Sequence, residues 1–338
     1  MERGRGEGKI LNDRKKNMKP NPYAFPLVLA VSLLCANAVA QTYPTKPIRL
    51  VVAFAPGGAT DTFARVTAAE LTRTMGQQVI VENRAGAGTT VAAEFVAKAA
   101  ADGYTLLFTD LSTHAIMPSL YTKLGFNHAR DLVAVTPVSA SPLIMVAHPS
   151  VGVKNAKELI ALAKKSPGVT CGNSGVGTVT HLAAEKFRTR AGIELTSVNY
   201  KGGATSTVSL LTGELSLIVT TIPAALEHVR SKKLIAIGLT ADKRATALPE
   251  IPALGETVKG VDAAVIAGVL APANVPRNII DRLNAEFAKA VDAPKARDIF
   301  LTNAAEAMKQ SPEVMQRVME QDTKIWAEVV KVTGVRLN

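Results

Sequence analysis

Along most of this 338-residue chain, short β-branched and aliphatic runs alternate with segments of helical period, the pattern of βαβ units around a mainly parallel sheet. Residues 48–54, Ile-Arg-Leu-Val-Val-Ala-Phe, predict a buried strand. It runs into the turn Ala55-Pro56-Gly57-Gly58 and then into a helix whose Ala64, Thr67, Ala68 and Leu71 share one face. Residues 78–82 predict a second strand, followed by Ala85-Gly86-Ala87-Gly88 and a helix through Ala99, and residues 104–108 predict a third strand. Residues 132–149 have strand character at both ends, but Pro137 and Pro142 between them argue against one regular central strand, so the stretch reads as a crossing between two lobes.

A second α/β series follows. Residues 154–165 place Ala156, Leu159, Ile160 and Ala163 at helical spacing, and residues 169–171, 195–198, 215–219 and 234–239 read as strands. A proline-containing stretch from Ala245 to Pro252 then leads back towards the first lobe. Two helices close the chain, one with Ile280, Leu283, Phe287 and Val291 on a stripe, the other opening at Ser311-Pro312, an N-cap followed by proline at the first helical position. No tandem repeat is visible.

Ahead of this series the pattern is different. Arg14, Lys15, Lys16 and Lys19 precede an apolar stretch, residues 25–34, which ends in Ala38-Val39-Ala40. That is the layout of a secretory signal, cleaved before Gln41, and the stretch is short for a span of about 20 residues. Met18 is an alternative start, since Lys19 alone still supplies a positive region. Cys35 follows Leu34 rather than a small residue, which argues against lipoprotein processing.

Charge and composition narrow the picture. The formal charge of +11 falls to +7 on residues 41–338, with 32 Lys and Arg against 25 Asp and Glu. The remaining basic residues are dispersed and aromatics make up 4%, so nucleic-acid recognition is not indicated. With one of the two cysteines, Cys171, left after cleavage, no intrachain disulfide forms. The histidines, His114, His128, His148, His181 and His228, show no metal-ligand spacing, and no metal or cofactor is expected.

Three glycine-rich turns each follow a strand and precede a helix: residues 55–61, 86–90 and 172–178. Each can present backbone N–H groups to an anion at a helix N-terminus, or can serve only tight strand-to-helix packing. Nucleotide fingerprints fail, because the second turn lacks the third small residue of the dinucleotide motif and the chain has no Gly-Lys-Ser/Thr triplet. Gly172-Asn173-Ser174-Gly175-Val176 approaches a nucleophile elbow but has Val176 at the second glycine. Asp61 caps its helix or orders a polar group in the cleft, and Lys201 lines the cleft or is a solvated loop residue.

Taken together, Tyr43-Pro44 with Lys46-Pro47-Ile48, residues 54–61 (Phe-Ala-Pro-Gly-Gly-Ala-Thr-Asp), Glu82-Asn83-Arg84, residues 101–107, residues 173–182 and Val198-Asn199-Tyr200-Lys201-Gly202-Gly203 resemble the Bug receptors, the periplasmic solute-binding proteins of tripartite tricarboxylate transporters. The resemblance runs in order through residues 43–338. It implies an α/β, two-lobe periplasmic-binding-protein fold of the Venus-flytrap type II kind, with a mostly parallel sheet in each lobe. Residues 41–142 and 241–338 would form one lobe and 143–240 the other, after a signal peptide at 1–40. It further implies a monomeric, non-enzymatic receptor in the periplasm that closes on a small carboxylate and delivers it to membrane permease subunits, or to a sensor protein.

Carried onto this chain, one jaw would comprise Phe54, Pro56, Gly57, Gly58, Thr60 and Asp61, and the other Ser174, Gly175, Gly177, Thr178, His181, Tyr200, Lys201 and Thr221. Where many relatives carry an acid, this chain has Ser216, followed by Thr220-Thr221 at the strand end, hydroxyls expected to face the distal part of the ligand. The rival reading is a secreted hydrolase of small anionic esters, with Ser174 as nucleophile and His181 as base.

Overall fold

In a computed structural model the described residues run from Tyr43 to Val335, so the segment expected to be a signal sequence, with Cys35, lies outside them. The first sheet is built on β1 (Ile48–Val52), which pairs in parallel with β2 (Val79–Asn83) and β3 (Thr105–Asp110). Next to β3 lies an antiparallel strand that the sequence pattern did not reveal, β9 (Ala264–Pro272), and β9 in turn pairs antiparallel with the first part of β4 (Leu132–Ala147). The run 264–271 is apolar throughout because the strand is covered on both faces, so it lacks the alternation that marks a half-exposed strand. A side chain at Gly268 would strike Leu111, which packs directly over it.

Strand β4 corrects the expectation drawn from its prolines. It is a continuous 16-residue strand, and the irregularity takes the form of register shifts at Ala134/Thr136 and Pro137/Ser139. At Pro142-Leu143 it leaves the first sheet and enters a second, pairing antiparallel with β7 (Leu217–Thr221) and β8 (Ile235–Leu239). Pro137 stands at one of these register shifts, and Pro142 stands where β4 leaves the first sheet, so in both places the ladder tolerates the missing N–H. In the second sheet β5 (Thr170–Asn173) lies parallel between β7 and β6 (Thr196–Asn199). Each sheet is therefore mixed: the parallel strands lie towards one edge, and antiparallel strands join where β4 crosses. The short β10 (Glu306–Ala307) pairs with β4 in the first sheet.

Helices α1 (Ala59–Met75), α2 (Thr90–Ala97) and α3 (Leu111–Leu120) follow the strands of the first sheet. Helices α4 (Ala156–Lys165), α5 (Val179–Ala191), α6 (Gly203–Leu211) and α7 (Ile222–Arg230) accompany the second. The chain closes with three helices rather than two: α8 (Arg277–Asp292), α9 (Pro294–Thr302) and α10 (Pro312–Thr333). The predicted faces are the buried ones, Ala64, Thr67, Ala68 and Leu71 on α1 and Ile280, Leu283, Phe287 and Val291 on α8. Phe63 of α1 meets Phe300 of α9 edge-on, with ring centroids 5.1 Å apart. Among the described residues no helix is long and apolar enough to cross a membrane.

One buried group is a liability. His114 on α3 is fully buried with no hydrogen-bond partner for either ring nitrogen, and it stacks on His128 at 4.3 Å. Burial, with the neighbouring His128, pushes its pKa well below the ordinary value, and burial lowers that of His128 too. Both rings are therefore neutral at pH 7, and their contribution to stability is lost as pH falls through the unfolded-state value near 6.5. Replacing His114 by leucine removes a buried unpaired polar group and one acid-labile site. The variant is expected to unfold at a lower pH than the parent in an acid titration followed by the fluorescence of the single Trp326.

Candidate functional site

The first glycine turn is held in shape from behind. The Asp61 carboxylate accepts hydrogen bonds from the Gly57 N–H (3.0 Å) and Asn83 Nδ2 (2.8 Å) and is paired with Arg65 at 2.9 Å, while Asn83 Nδ2 also reaches the Phe54 carbonyl at 2.9 Å. Burial would raise its pKa, but the bonds from Arg65, Asn83 and Gly57 outweigh that and hold it below the usual value. Asp61 is thus neither of the things its sequence position suggested. The N-cap of α1 is Gly58, which supplies no side chain, and Asp61 lines neither cavity described below.

The third turn is braced in the same way. Asn173 Oδ1 accepts from the Gly175 N–H, the Thr178 hydroxyl donates to the Gly175 carbonyl at 2.7 Å, and Thr180 Oγ1 accepts from the Ser174 N–H at 2.9 Å. His181 Nδ1 accepts from the Gly177 N–H at 3.1 Å, and burial lowers its pKa, with Glu185 opposing. Its ring braces the turn from behind, as Asp61 does in the first.

Two connected cavities open between the sheets. The inner one has a volume of about 350 Å³. It is bounded by Phe54, Gly58 and Thr60 from the first glycine turn, by Asp110, Thr113 and Val265, and on the opposite side by Ser174, Thr178, Thr180, Gly203 and Thr221. The outer one, about 890 Å³, shares Phe54, Ser174 and Thr178 with it and adds the second glycine turn (86–89), Tyr121, Gly175, Tyr200 and Lys201.

Nine of the fourteen expected site residues line one or both cavities. Pro56, Gly57, Asp61, Gly177 and His181 line neither. Pro56 and Gly57 are exposed at the rim, and the other three support the turns. Ser216 is also displaced from its expected place: its hydroxyl and N–H pair with Thr170, tying the start of β7 to β5 away from the cavities. Thr220 is buried with its hydroxyl unpartnered, whereas Thr221 does reach the inner cavity.

Four of the residues that sequence reasoning missed share one origin. Asp110, Thr113, Thr180 and Gly203 sit at the starts of helices whose N-termini converge on the inner cavity. Five helices point there: α1 from Gly58, α3 from Asp110, α5 from Thr178, α6 from Gly202 and α7 from Thr221. Each contributes roughly half a positive charge at its N-terminus, with leading N–H groups of α1, α3 and α5 already taken by Thr221, Asp110 and Thr113. No Lys or Arg lines the inner cavity, and its one acidic side chain, Asp110, is already saturated, accepting from Ser112 N, Thr113 N, Thr113 Oγ1 and Ile266 N. Burial raises the Asp110 pKa to about 6. In the outer cavity the one charged side chain is Lys201. Such a chamber attracts an anion through dipoles and N–H groups rather than through a salt bridge, which favours release as well as capture.

A mixed α/β chain with one strand crossing between two sheets and a cleft lined from both is the architecture of a two-lobe solute-binding protein. The model of the tripartite tricarboxylate transporter family receptor matches residues 63–335, and the chain belongs to that family. It is 34% identical over 316 residues to protein BugT of Bordetella pertussis, covering 92% of this chain and 96% of BugT. Among solved structures, the periplasmic binding protein BugD superposes with a TM-score of 0.83 at 30% identity, covering 87% of this chain and all of BugD. R. palustris Rpa4515 with adipate gives 0.84 at 32% identity, with coverage of 87% and 100%. The homologues are solute-binding receptors, and the family's members are periplasmic binding proteins.

Proposed function

We propose that this receptor is exported to the periplasm by cleavage near Ala40-Gln41, captures a small carboxylate in the cleft, and hands it to the permease subunits of a tripartite transporter without chemical change. The observation that carries the reading is the convergence of five helix N-termini on a cavity without Lys or Arg, an anion site made of backbone donors and hydroxyls. The adipate held by Rpa4515 supports a carboxylate as the ligand class. The lobes are residues 41–142 with 241–338, and 143–240. Thr240 supports this division: its hydroxyl accepts from Leu143 N–H at 2.8 Å and donates to the Ala263 carbonyl at 2.7 Å, fastening the two crossing segments together as a hinge.

No catalytic pair is needed. His181 Nδ1 is engaged by Gly177, and no hydrogen bond joins it to Ser174 among the described residues. Isothermal titration of the exported protein with mono-, di- and tricarboxylates, run beside incubation with their methyl esters and mass spectrometry, tests the reading. Stoichiometric binding of an acid with no ester turnover is expected. Ester hydrolysis abolished by Ser174→Ala would overturn it.

A further inference from the structure

Besides the Thr240 bond at the crossing segments and the Lys186 ammonium, which donates to the Asp262 carbonyl at 2.7 Å, two hydrogen bonds link helix N-termini across the cleft, and they form a reciprocal pair. The Ala59 N–H, the first of helix α1, donates to Thr221 Oγ1 in the other lobe at 3.1 Å. The Val179 N–H, the first of helix α5, donates to Thr113 Oγ1 across the cleft at 3.1 Å. In each case the leading N–H of a helix in one lobe is taken by a threonine at the N-terminus of a helix in the other, Thr221 being the N-cap of α7 and Thr113 standing in the first turn of α3. Both threonines are buried, at 8% and 0% exposure, so neither bond competes freely with water.

The backbones around these bonds meet closely enough to require small residues. A Cβ at Gly202 would come within 3.0 Å of Ala55 Cβ in the opposite lobe, and one at Gly57 within 3.3 Å of Ala204 Cβ. The two bonds differ in one respect. The Thr113 hydroxyl hydrogen is committed to Asp110 Oδ2 at 2.5 Å, which orients the oxygen lone pairs towards Val179. Thr221 lines the inner cavity, and its hydroxyl remains able to donate to an anion there while accepting from Ala59.

We propose that Thr113 and Thr221 are a pair of cross-lobe latches that set how far the cleft stays shut, Thr113 independently of ligand through its bond to Asp110, and Thr221 in step with the anion it can also hold. The proposal rests on the binding-protein reading for its purpose but not for its test. A net intramolecular hydrogen bond of ordinary strength corresponds to a roughly three- to tenfold change in an equilibrium, so each loss should be measurable.

Dyes placed through Gln78→Cys in one lobe and Lys157→Cys in the other, both exposed positions, report lobe separation by single-molecule energy transfer in the exported protein, while buried Cys171 stays unlabelled. Without added ligand, Thr113→Val is expected to lower the closed-to-open ratio by about three- to tenfold, and the double variant with Thr221→Val by more. Thr113→Ser, which keeps the hydroxyl, is expected to restore the parental distribution. In a titration with a carboxylate followed by the same signal, Thr221→Val should also weaken affinity by about tenfold. Coinciding distributions for parent, Thr113→Val and the double variant, each with native circular dichroism, would overturn the latches. If no carboxylate alters the parental distribution while the variants still open, the latches stand and the carboxylate reading fails.

Discussion

Replacing Gly58 by aspartate is expected to weaken carboxylate binding by about 100-fold or more while leaving the protein as stable as the parent, or slightly more so. Gly58 is the N-cap of α1, with φ −89° and ψ 177°, an extended conformation open to any residue, and it provides no side-chain cap. Aspartate is a preferred N-cap residue and gains a few tenths of a kcal/mol over glycine by accepting from the first N–H groups of the helix. A Cβ here lies 3.6 Å from Thr221 Oγ1, an ordinary contact. The new carboxylate would occupy the same dipole-lined space that a ligand carboxylate needs. Two like charges about 6 Å apart at an effective dielectric constant of about 20 repel by roughly 3 kcal/mol, which is about 100-fold in affinity. Gly58→Ala, which adds no charge, should bind within about tenfold of the parent. Calorimetric titration and urea unfolding of both variants separate lost binding from lost folding. Parental affinity in Gly58→Asp would place the anion elsewhere.

Asp110→Ala is expected to be the most destabilising single change in the cleft, by about 3–5 kcal/mol in urea unfolding at pH 7.5. Its carboxylate caps α3 through the Ser112 and Thr113 N–H groups and also accepts from Ile266 N–H on β9, so its removal strands three buried backbone donors and frees the Thr113 hydroxyl. The charge itself has the opposite sign of effect. Because the folded-state pKa is raised from 3.8 to about 6, the folded protein binds the proton first. Asp110 therefore adds stability as pH falls from about 6 towards 3.8, by about 3 kcal/mol at most, and withdraws it as pH rises through that window. The buried histidines act against it over the same range, so the contribution is read from the difference between the parent and Asp110→Asn. That difference should shift in the parent's favour as pH falls from 7 to 4.5. A pH-independent difference would mean that Asp110 carries no raised pKa.

Much of this molecule was legible from its hydrophobic pattern, and the places where it was not have physical reasons. Strands β1 to β3 and β5 to β8 announce themselves as short β-branched and aliphatic runs, and the buried stripes of α1 and α8 by their helical period. Strand β9 does not, since Gly268 interrupts its run and Ala264, Ala267 and Ala271 dilute its β-branched residues, yet it carries Val265 to the inner cavity. The prolines of β4 pointed to a crossing but concealed a continuous strand, because a register shift absorbs Pro137 and Pro142 falls where the strand passes from one sheet to the other. At the inner cavity, the glycine turns led to the lining residues Gly58, Thr60, Ser174 and Thr178, since turn and helix start are adjacent in sequence. Asp110 and Thr113 were missed because they follow an ordinary strand without a glycine signal, and only the tertiary fold brings that helix start to the cleft. Asp61 and His181 were assigned to the ligand because polarity is visible in sequence, whereas the direction a side chain faces from a turn is not. Both brace the loops that they were expected to present.

Whether an anion is held between helix N-termini of two lobes is tested by thermal unfolding of residues 41–338 against a panel of mono-, di- and tricarboxylates, amino acids and aromatic acids, each paired with its methyl ester. A ligand that binds only the native state at 100 times its Kd stabilises by about 2.7 kcal/mol, which raises the Tm by several degrees. The account predicts such a rise for one class of free carboxylate, none for the corresponding ester, and none for that acid with Gly58→Asp. An ester that shifts the Tm as much as its acid would contradict it. So would a panel with no shift at all from protein that releases no small acid on denaturation.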